Sequence, residues 1–215
     1  MQAVACPKRH GRIKVFLLAI YCSIGLLLSG CFIQSLHPFY LESMVVQVPE
    51  TAGQWYLTHV GEDDVSAKYP EAWVFGKDAV VTFDRGIVSS LNIVWFRVGD
   101  TLFADLGSSA KEYEQRINGW WSMHSVAVHS VCKVILESGT MTFIPLNGEW
   151  LHDRIQKREI PLAIATVGGK NDHYVLTSSP QELAGFLAVY RQSPDAFPLQ
   201  NAHVFKRSRV FGQRN

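Results

Sequence analysis

The sequence predicts a mostly-β domain: a single antiparallel β-barrel or strongly curved sheet, with a C-terminal helix packed outside it. A β-sandwich is the alternative architecture. Three observations carry this expectation. First, short runs rich in β-branched and aromatic residues follow one another at 54–60, 71–76, 79–84, 87–98, 101–106, 121–136, 140–146, 161–167, 173–178 and 202–207, the pattern of successive strands. Second, turn residues separate the runs: Asp84-Arg85-Gly86, Gly99-Asp100 in the Gly-X form of a two-residue hairpin, Ser138-Gly139 and Gly168-Gly169. Hairpins in succession give an antiparallel meander rather than βαβ crossovers. Third, helical periodicity appears late. Ser179-Pro180-Gln181-Glu182 is a capping box with proline at the first helical position. After it, Leu183, Phe186, Leu187 and Tyr190 recur at i, i+3, i+4 and i+7. That stripe predicts a helix over 180–192 with Leu183, Phe186 and Leu187 buried and Gln181 and Arg191 exposed. A shorter helix starts at Asn147 and carries Trp150, Leu151 and Ile155.

The N-terminus reads differently from the rest of the chain. Lys8, Arg9, Arg12 and Lys14 precede a charge-free run from Val15 to Leu28. The run is too short for a bilayer, which needs about 20 apolar residues, and has the layout of a secretory signal. It ends in Leu28-Ser29-Gly30-Cys31, which resembles the lipobox of bacterial lipoproteins at all four positions. The resemblance implies cleavage between Gly30 and Cys31, a diacylglycerol thioether on Cys31 and acylation of the new amine. It also implies a membrane anchor: each buried CH₂ adds ~0.8 kcal/mol, and two or three chains hold firmly. Phe32, rather than an aspartate, follows the cysteine. By the sorting pattern of Gram-negative lipoproteins, this implies the periplasmic face of the outer membrane. The expected organisation is therefore a signal peptide at 1–30, a lipidated N-terminus and tether at 31–50, a barrel-like domain at 51–208, and a tail at 209–215.

Removing the leader changes the composition. The whole chain has 20 basic and 19 acidic residues. All four leader charges are basic, so 16 basic against 19 acidic residues remain, a net of −3. No polybasic footprint for nucleic acid exists. Cys6 and Cys22 leave with the leader and Cys31 is acylated, so Cys132 stands alone and no intramolecular disulfide can form. Cys132 alternates with Val126, Val128 and Val134 and reads as a small buried apolar residue.

Gly53-Gln54-Trp55 opens the first strand of the domain. It resembles the Gly-x-Trp signature at the start of lipocalins and related calycin barrels. The resemblance implies that Trp55 closes one end of a barrel and that a basic residue of the last strand stacks across it. Arg207 is the matching residue, with Lys206 as the alternative. The order of barrel, helix and final strand is also similar, but the later Thr-Asp-Tyr motif is missing and residues 147–170 do not map onto the pattern. Across residues 36–207 the chain further resembles a family of bacterial lipoproteins to which no activity is attached. That likeness rests on Ser35–Tyr40 (Ser-Leu-His-Pro-Phe-Tyr), on Gly53-x-Trp55 and on Leu176-Thr177-Ser178-Ser179.

Chemistry-bearing motifs are scarce. His59, His124, His129, His152 and His173 lack His-x-His or His-Glu-x-x-His spacing, which argues against a metal site. His37 before Pro38 reads as a packed turn residue. No Gly-x-Ser-x-Gly elbow or P-loop occurs, so no cofactor and no enzymatic activity are expected. Glu62-Asp63-Asp64 and Lys111–Arg116 read as solvated turns. Aromatics are the remaining clue: Trp55, Trp73, Phe75, Phe83, Trp95, Phe96, Trp120 and Trp121 supply core or wall, with Trp120-Trp121 placed to touch lipid or a partner. Two functions follow as expectations. The favoured one is an envelope lipoprotein whose barrel binds a small apolar or amphipathic molecule. The other is a structural or protein-interaction lipoprotein with a filled barrel.

Overall fold

The computed structural model describes residues 33–65, 71–84, 87–108, 126–167 and 173–207. Gly30, Cys31, Trp120, Trp121 and the run Lys111–Arg116 lie outside these residues, as does His124. Eight antiparallel strands close into a barrel. In chain order the strands of the domain are β1 (Gln34–Ser35), β2 (Gly53–Val60), β3 (Asp63–Asp64), β4 (Ala72–Phe75), β5 (Ala79–Asp84), β6 (Ile87–Val98), β7 (Thr101–Ser108), β8 (His129–Glu137), β9 (Thr140–Pro145), β10 (Ile164–Val167), β11 (His173–Leu176) and β12 (His203–Arg207). Two helices, α1 (Gly148–Gln156) and α2 (Pro180–Tyr190), interrupt them. The ladder runs β8-β7-β6-β5-β4-β2-β12-β9, and the β8–β9 pairing closes it. A sandwich is thereby excluded, because no edge separates two sheets among these eight strands.

The turns explain the meander. Val98 pairs with Thr101 across a two-residue loop in which Gly99 has φ +62°, a conformation that β-carbon sterics deny to most residues. Glu137 pairs with Thr140 across Ser138-Gly139 in the same way. Beyond Cys132, β8 changes partner. Pro145 is the last residue of β9 beside it, and β1 takes over at Ser35↔His129. β11 then pairs in parallel with β1, and β10 with β11.

Two cores result. Inward positions of the barrel form one, around Phe75, Trp95, Met141, Phe143 and Phe205. The second lies on the outer wall, where Phe96, Val98 and Phe103 of β6 and β7 meet Leu183, Phe186 and Leu187 of α2 together with Leu151 of α1. The Ser179 side chain accepts the Glu182 N–H and the Glu182 carboxylate returns to the Ser179 N–H, so α2 starts at its capping box. Asn147 caps α1 through the Trp150 N–H.

Three sequence expectations need correction. Residues 33–50 are more than a tether: Ile33 and Phe39 are buried in the outer core. Arg191 is only half-exposed. Its side chain folds back along Gly99, donates to the Ala188 carbonyl and lies 4.0 Å from the Asp100 carboxylate. The charge is held there because α2 ends against the β6–β7 turn. Strand β8 also starts later than its apolar run suggests: residues 126–128 are irregular and Val126 is exposed.

Candidate functional site

The barrel has two unlike ends. At one end β2 begins and β12 finishes, and the turns at 76–78, 99–100 and 138–139 all lie there. Gly53, Trp55 and Arg207 meet at this end. Gly53 has φ +107°, which a side chain would strain. The Trp55 indole is buried and donates to the Thr51 carbonyl at 2.7 Å. The Arg207 guanidinium lies 4.9 Å from the Trp55 ring centroid, within cation–π range. It also donates to the Glu50 carbonyl and, at 3.1 Å, to the Ala52 carbonyl. The short 3-10 turn Pro49–Thr51 is thus pinned across the barrel end, continuing from Val46, whose N–H bonds to the Trp95 carbonyl. Lys206 faces away from the ring, as strand alternation requires.

Above this plug the interior is solid with rings. Phe143 and Phe205 lie 5.6 Å apart, Phe75 and Phe143 5.8 Å, and Trp95 and Phe143 5.9 Å, each pair edge to face. Such separations suit aromatic pairs and leave no space between them. Cys132 faces the same interior, where burial and then the nearby Asp105 charge push its thiol up to about 12. It is a packing residue, because the nucleophilic form of a thiol is the thiolate.

Toward the other end the inward residues change character. Residues opposite one another in an antiparallel ladder share a face. The register Trp73↔Thr82↔Ser89 and the register Val80↔Leu91↔Ser108 therefore point inward. So do Leu106 and Ser130, which pair with each other, and His203, which pairs with the inward Phe143. Trp73, Thr82, Ser89, Leu91, Leu106, Ser108, Ser130 and His203 are all partly exposed, although strands close around them. Among the described residues these partly exposed inward side chains outline a shallow cup at this end. Trp73 forms its floor, tilted against Phe205 at 5.0 Å, with its indole N–H donating to the Glu71 carboxylate at 2.6 Å. Leu91 and Leu106 are apolar wall; the hydroxyls are rim. Burial pulls the His203 imidazole below its ordinary range.

A second cluster lies on the outer wall and joins two motifs far apart in sequence. Ser35 and Leu176 are parallel-strand partners, and both are fully buried. The Ser35 hydroxyl accepts the His37 N–H at 3.1 Å. The buried Asp105 carboxylate takes the Phe39 N–H at 3.0 Å on one oxygen and His129 Nδ1–H at 2.7 Å on the other. Tyr40 packs on Phe96 at 5.5 Å, and burial beside Asp105 raises its phenol. The Ser178 hydroxyl accepts the Ala163 N–H at 2.7 Å. This Asp–His pair was invisible in the sequence, because its members lie on neighbouring strands. With a structural partner on each carboxylate oxygen, it acts as a clamp on the chain entering the domain.

Among the described residues no three His, Cys, Asp or Glu side chains gather as a metal site, and no helix is long and apolar enough to cross a membrane. No protein-family model, curated protein or solved structure matches the chain.

Proposed function

We propose that this chain is a non-catalytic envelope lipoprotein, acylated at Cys31 and held at the periplasmic face of the outer membrane, whose barrel receives a small apolar or amphipathic molecule. One observation carries the binding role: eight inward side chains at one end are partly exposed inside a closed barrel. An apolar floor and walls with hydroxyls at the rim suit a molecule with a greasy end and a polar end, since such sites are mostly apolar with few polar anchors. A lipocalin-like relationship is part of this reading, supported by the Arg207–Trp55 stack at the closed end. The alternative, a filled barrel that docks onto an envelope protein, draws on the ring-packed half, since small barrels can be filled by their own side chains.

The test uses the position of Trp73. The full chain in detergent is titrated with a panel of fatty acids and lysophospholipids, and its tryptophan emission is followed. Binding in the cup shifts the emission, and Leu106→Trp, which fills the cup from the wall, abolishes the saturable response. Native mass spectrometry of protein purified from its own envelope then identifies a co-purifying molecule. If emission stays unmoved across the panel and only a stoichiometric protein co-purifies, the docking alternative replaces the binding one.

A further inference from the structure

Charge is divided unevenly along the inner face of the barrel. Arg97 pairs with the inward Leu102, and Arg207 lies across Trp55, so both inward cations stand at the closed end. Among the described residues no Lys or Arg lies on the inner face at the cup. A carboxylate does. Glu71 precedes β4, and its carbonyl accepts the Leu57 N–H at 2.9 Å, which continues the β2–β4 ladder by one pair. Glu71 therefore shares the inward face of Trp73, two residues on. Its side chain is half-buried there, and one carboxylate oxygen takes the Trp73 indole N–H at 2.6 Å. That donor is neutral, and no ion pair among the described residues includes Glu71. His203 adds no positive charge at neutral pH, because burial lowers its pKa. Glu62, Asp63 and Asp64 follow β2 at the same end, exposed and of the same sign as Glu71.

We propose that the cup selects a cationic amphiphile, an alkyl chain ending in an ammonium group, with the ammonium beside the Glu71 carboxylate and over the Trp73 ring. This rests on the binding role proposed above and adds the charge of the bound molecule. Trp73 packs against Phe205 at 5.0 Å and Phe75 at 5.9 Å on the side of the filled half, and its remaining exposure is toward the cup. The face of an indole attracts a cation that lies within about 6 Å of its centre. Donating the indole N–H to a carboxylate leaves the ring richer in electrons. A charge of one sign between apolar walls also draws its counter-ion more strongly than the same charge on an open surface. Thr82 and Ser89, in register with Trp73, offer hydroxyl oxygens to the ammonium N–H groups. The hydrocarbon part is served by Leu91 and Leu106, further round the wall on β6 and β7. A carboxylate or phosphate head group would meet a like charge at Glu71 instead.

The test holds the alkyl chain fixed and changes only the head group. The full chain in a non-ionic detergent is titrated at neutral pH with dodecylamine, dodecanol and dodecanoate, and tryptophan emission is followed for the wild type and for Glu71→Gln. Glutamine keeps an oxygen for the Trp73 indole N–H and removes the charge. The wild type should bind the amine several-fold more tightly than the carboxylate, with the alcohol between them. In Glu71→Gln that preference should collapse toward equality while the alcohol binds as before. Added salt is a second measure that needs no variant: the amine's affinity for the wild type should fall relative to the alcohol's, since screening weakens only the charged pair. Equal affinities for amine and carboxylate in the wild type, or a preference that survives in Glu71→Gln, overturns the charge selection; saturable binding of the alcohol in the same experiment then leaves the cup's binding role standing. The absence of a saturable response to all three compounds refutes the binding role and the selection together.

Discussion

Below Trp73 the barrel is filled by Phe75, Trp95, Phe143 and Phe205; above it, the same strands turn Ser89, Ser108, Ser130 and Thr82 toward the same axis. Inward periodicity is identical in the two halves. Only side-chain volume differs. Barrels of this strand number have an interior that large side chains just fill, so a layer of rings makes a core and a layer of hydroxyls leaves a cup. The difference teaches that core and cup are set residue by residue along each strand, not by the strand arrangement.

The contrast should be largest in stability. Phe205 is fully buried among Trp73, Phe75 and Phe143. Phe205→Ala should cost about 3–5 kcal/mol, because the ring cluster cannot collapse into the space. Ser89→Ala in the cup should change stability by less than about 0.5 kcal/mol. Urea denaturation of both variants checks the pair; similar losses would mean that the cup is a packed core.

The outer wall offers a second comparison. Leu187 of α2 is fully buried against the barrel, and Leu187→Ala should cost about 2–5 kcal/mol. If α2 were a detachable cover, its amides would exchange freely while the barrel strands stayed protected. Hydrogen exchange on the variant separates these cases, and a loss below about half a kcal/mol would place the stripe in solvent.

Much of this was legible because strand and helix periods are strong signals. All ten runs contain strands, and the 180–192 stripe is a helix ending at Tyr190. The missed elements, β1 and β3, have two residues each, too few for any period to show. The cup was illegible for a different reason. Several strands are apolar on both faces, since the outer wall is itself a core surface beneath α1 and α2; alternation therefore could not say which face points inward. The same double burial hid the role of residues 33–50, whose aromatics read as tether until Phe39 was seen beneath Asp105. Arg191 was misplaced because an arginine at a helix end can lie along an adjoining turn, and sequence does not show the turn.

The closed end should be moderately sensitive. Arg207→Ala removes a cation–π contact and two hydrogen bonds to carbonyls of 50–52, an exposed arrangement worth about 1–2 kcal/mol. The more specific effect is local: amides of Thr51 and Ala52, which close the 3-10 turn, should exchange faster with little change in the strands. Arg207→Lys should restore charge but not the two-carbonyl grip. Unchanged exchange at Thr51 in the alanine variant would show that Trp55 alone holds the plug.

The smallest expected effect comes from pH and concerns the cup. Burial holds the His203 pKa below its ordinary value, so the unfolded chain takes up a proton at a higher pH than the folded one. Folding is then favoured fully above about pH 7 and loses that contribution as pH falls through the ordinary histidine value near 6.5 toward the lower folded value. Thermal unfolding should therefore show a modest decline in Tm between pH 7 and pH 5. Carboxylates with lowered pKa values, such as Glu182 at its cap, lose their contribution at lower pH, so the two contributions separate on the pH axis. His203→Gln should flatten the upper part of the decline and leave the lower part in place. A ligand seated on Trp73 beside His203 would desolvate the imidazole further, which makes the same experiment a probe of occupancy. If adding the ligand steepens the decline in the wild type and not in His203→Gln, the bound molecule lies in the cup; an equal effect in both would put it elsewhere.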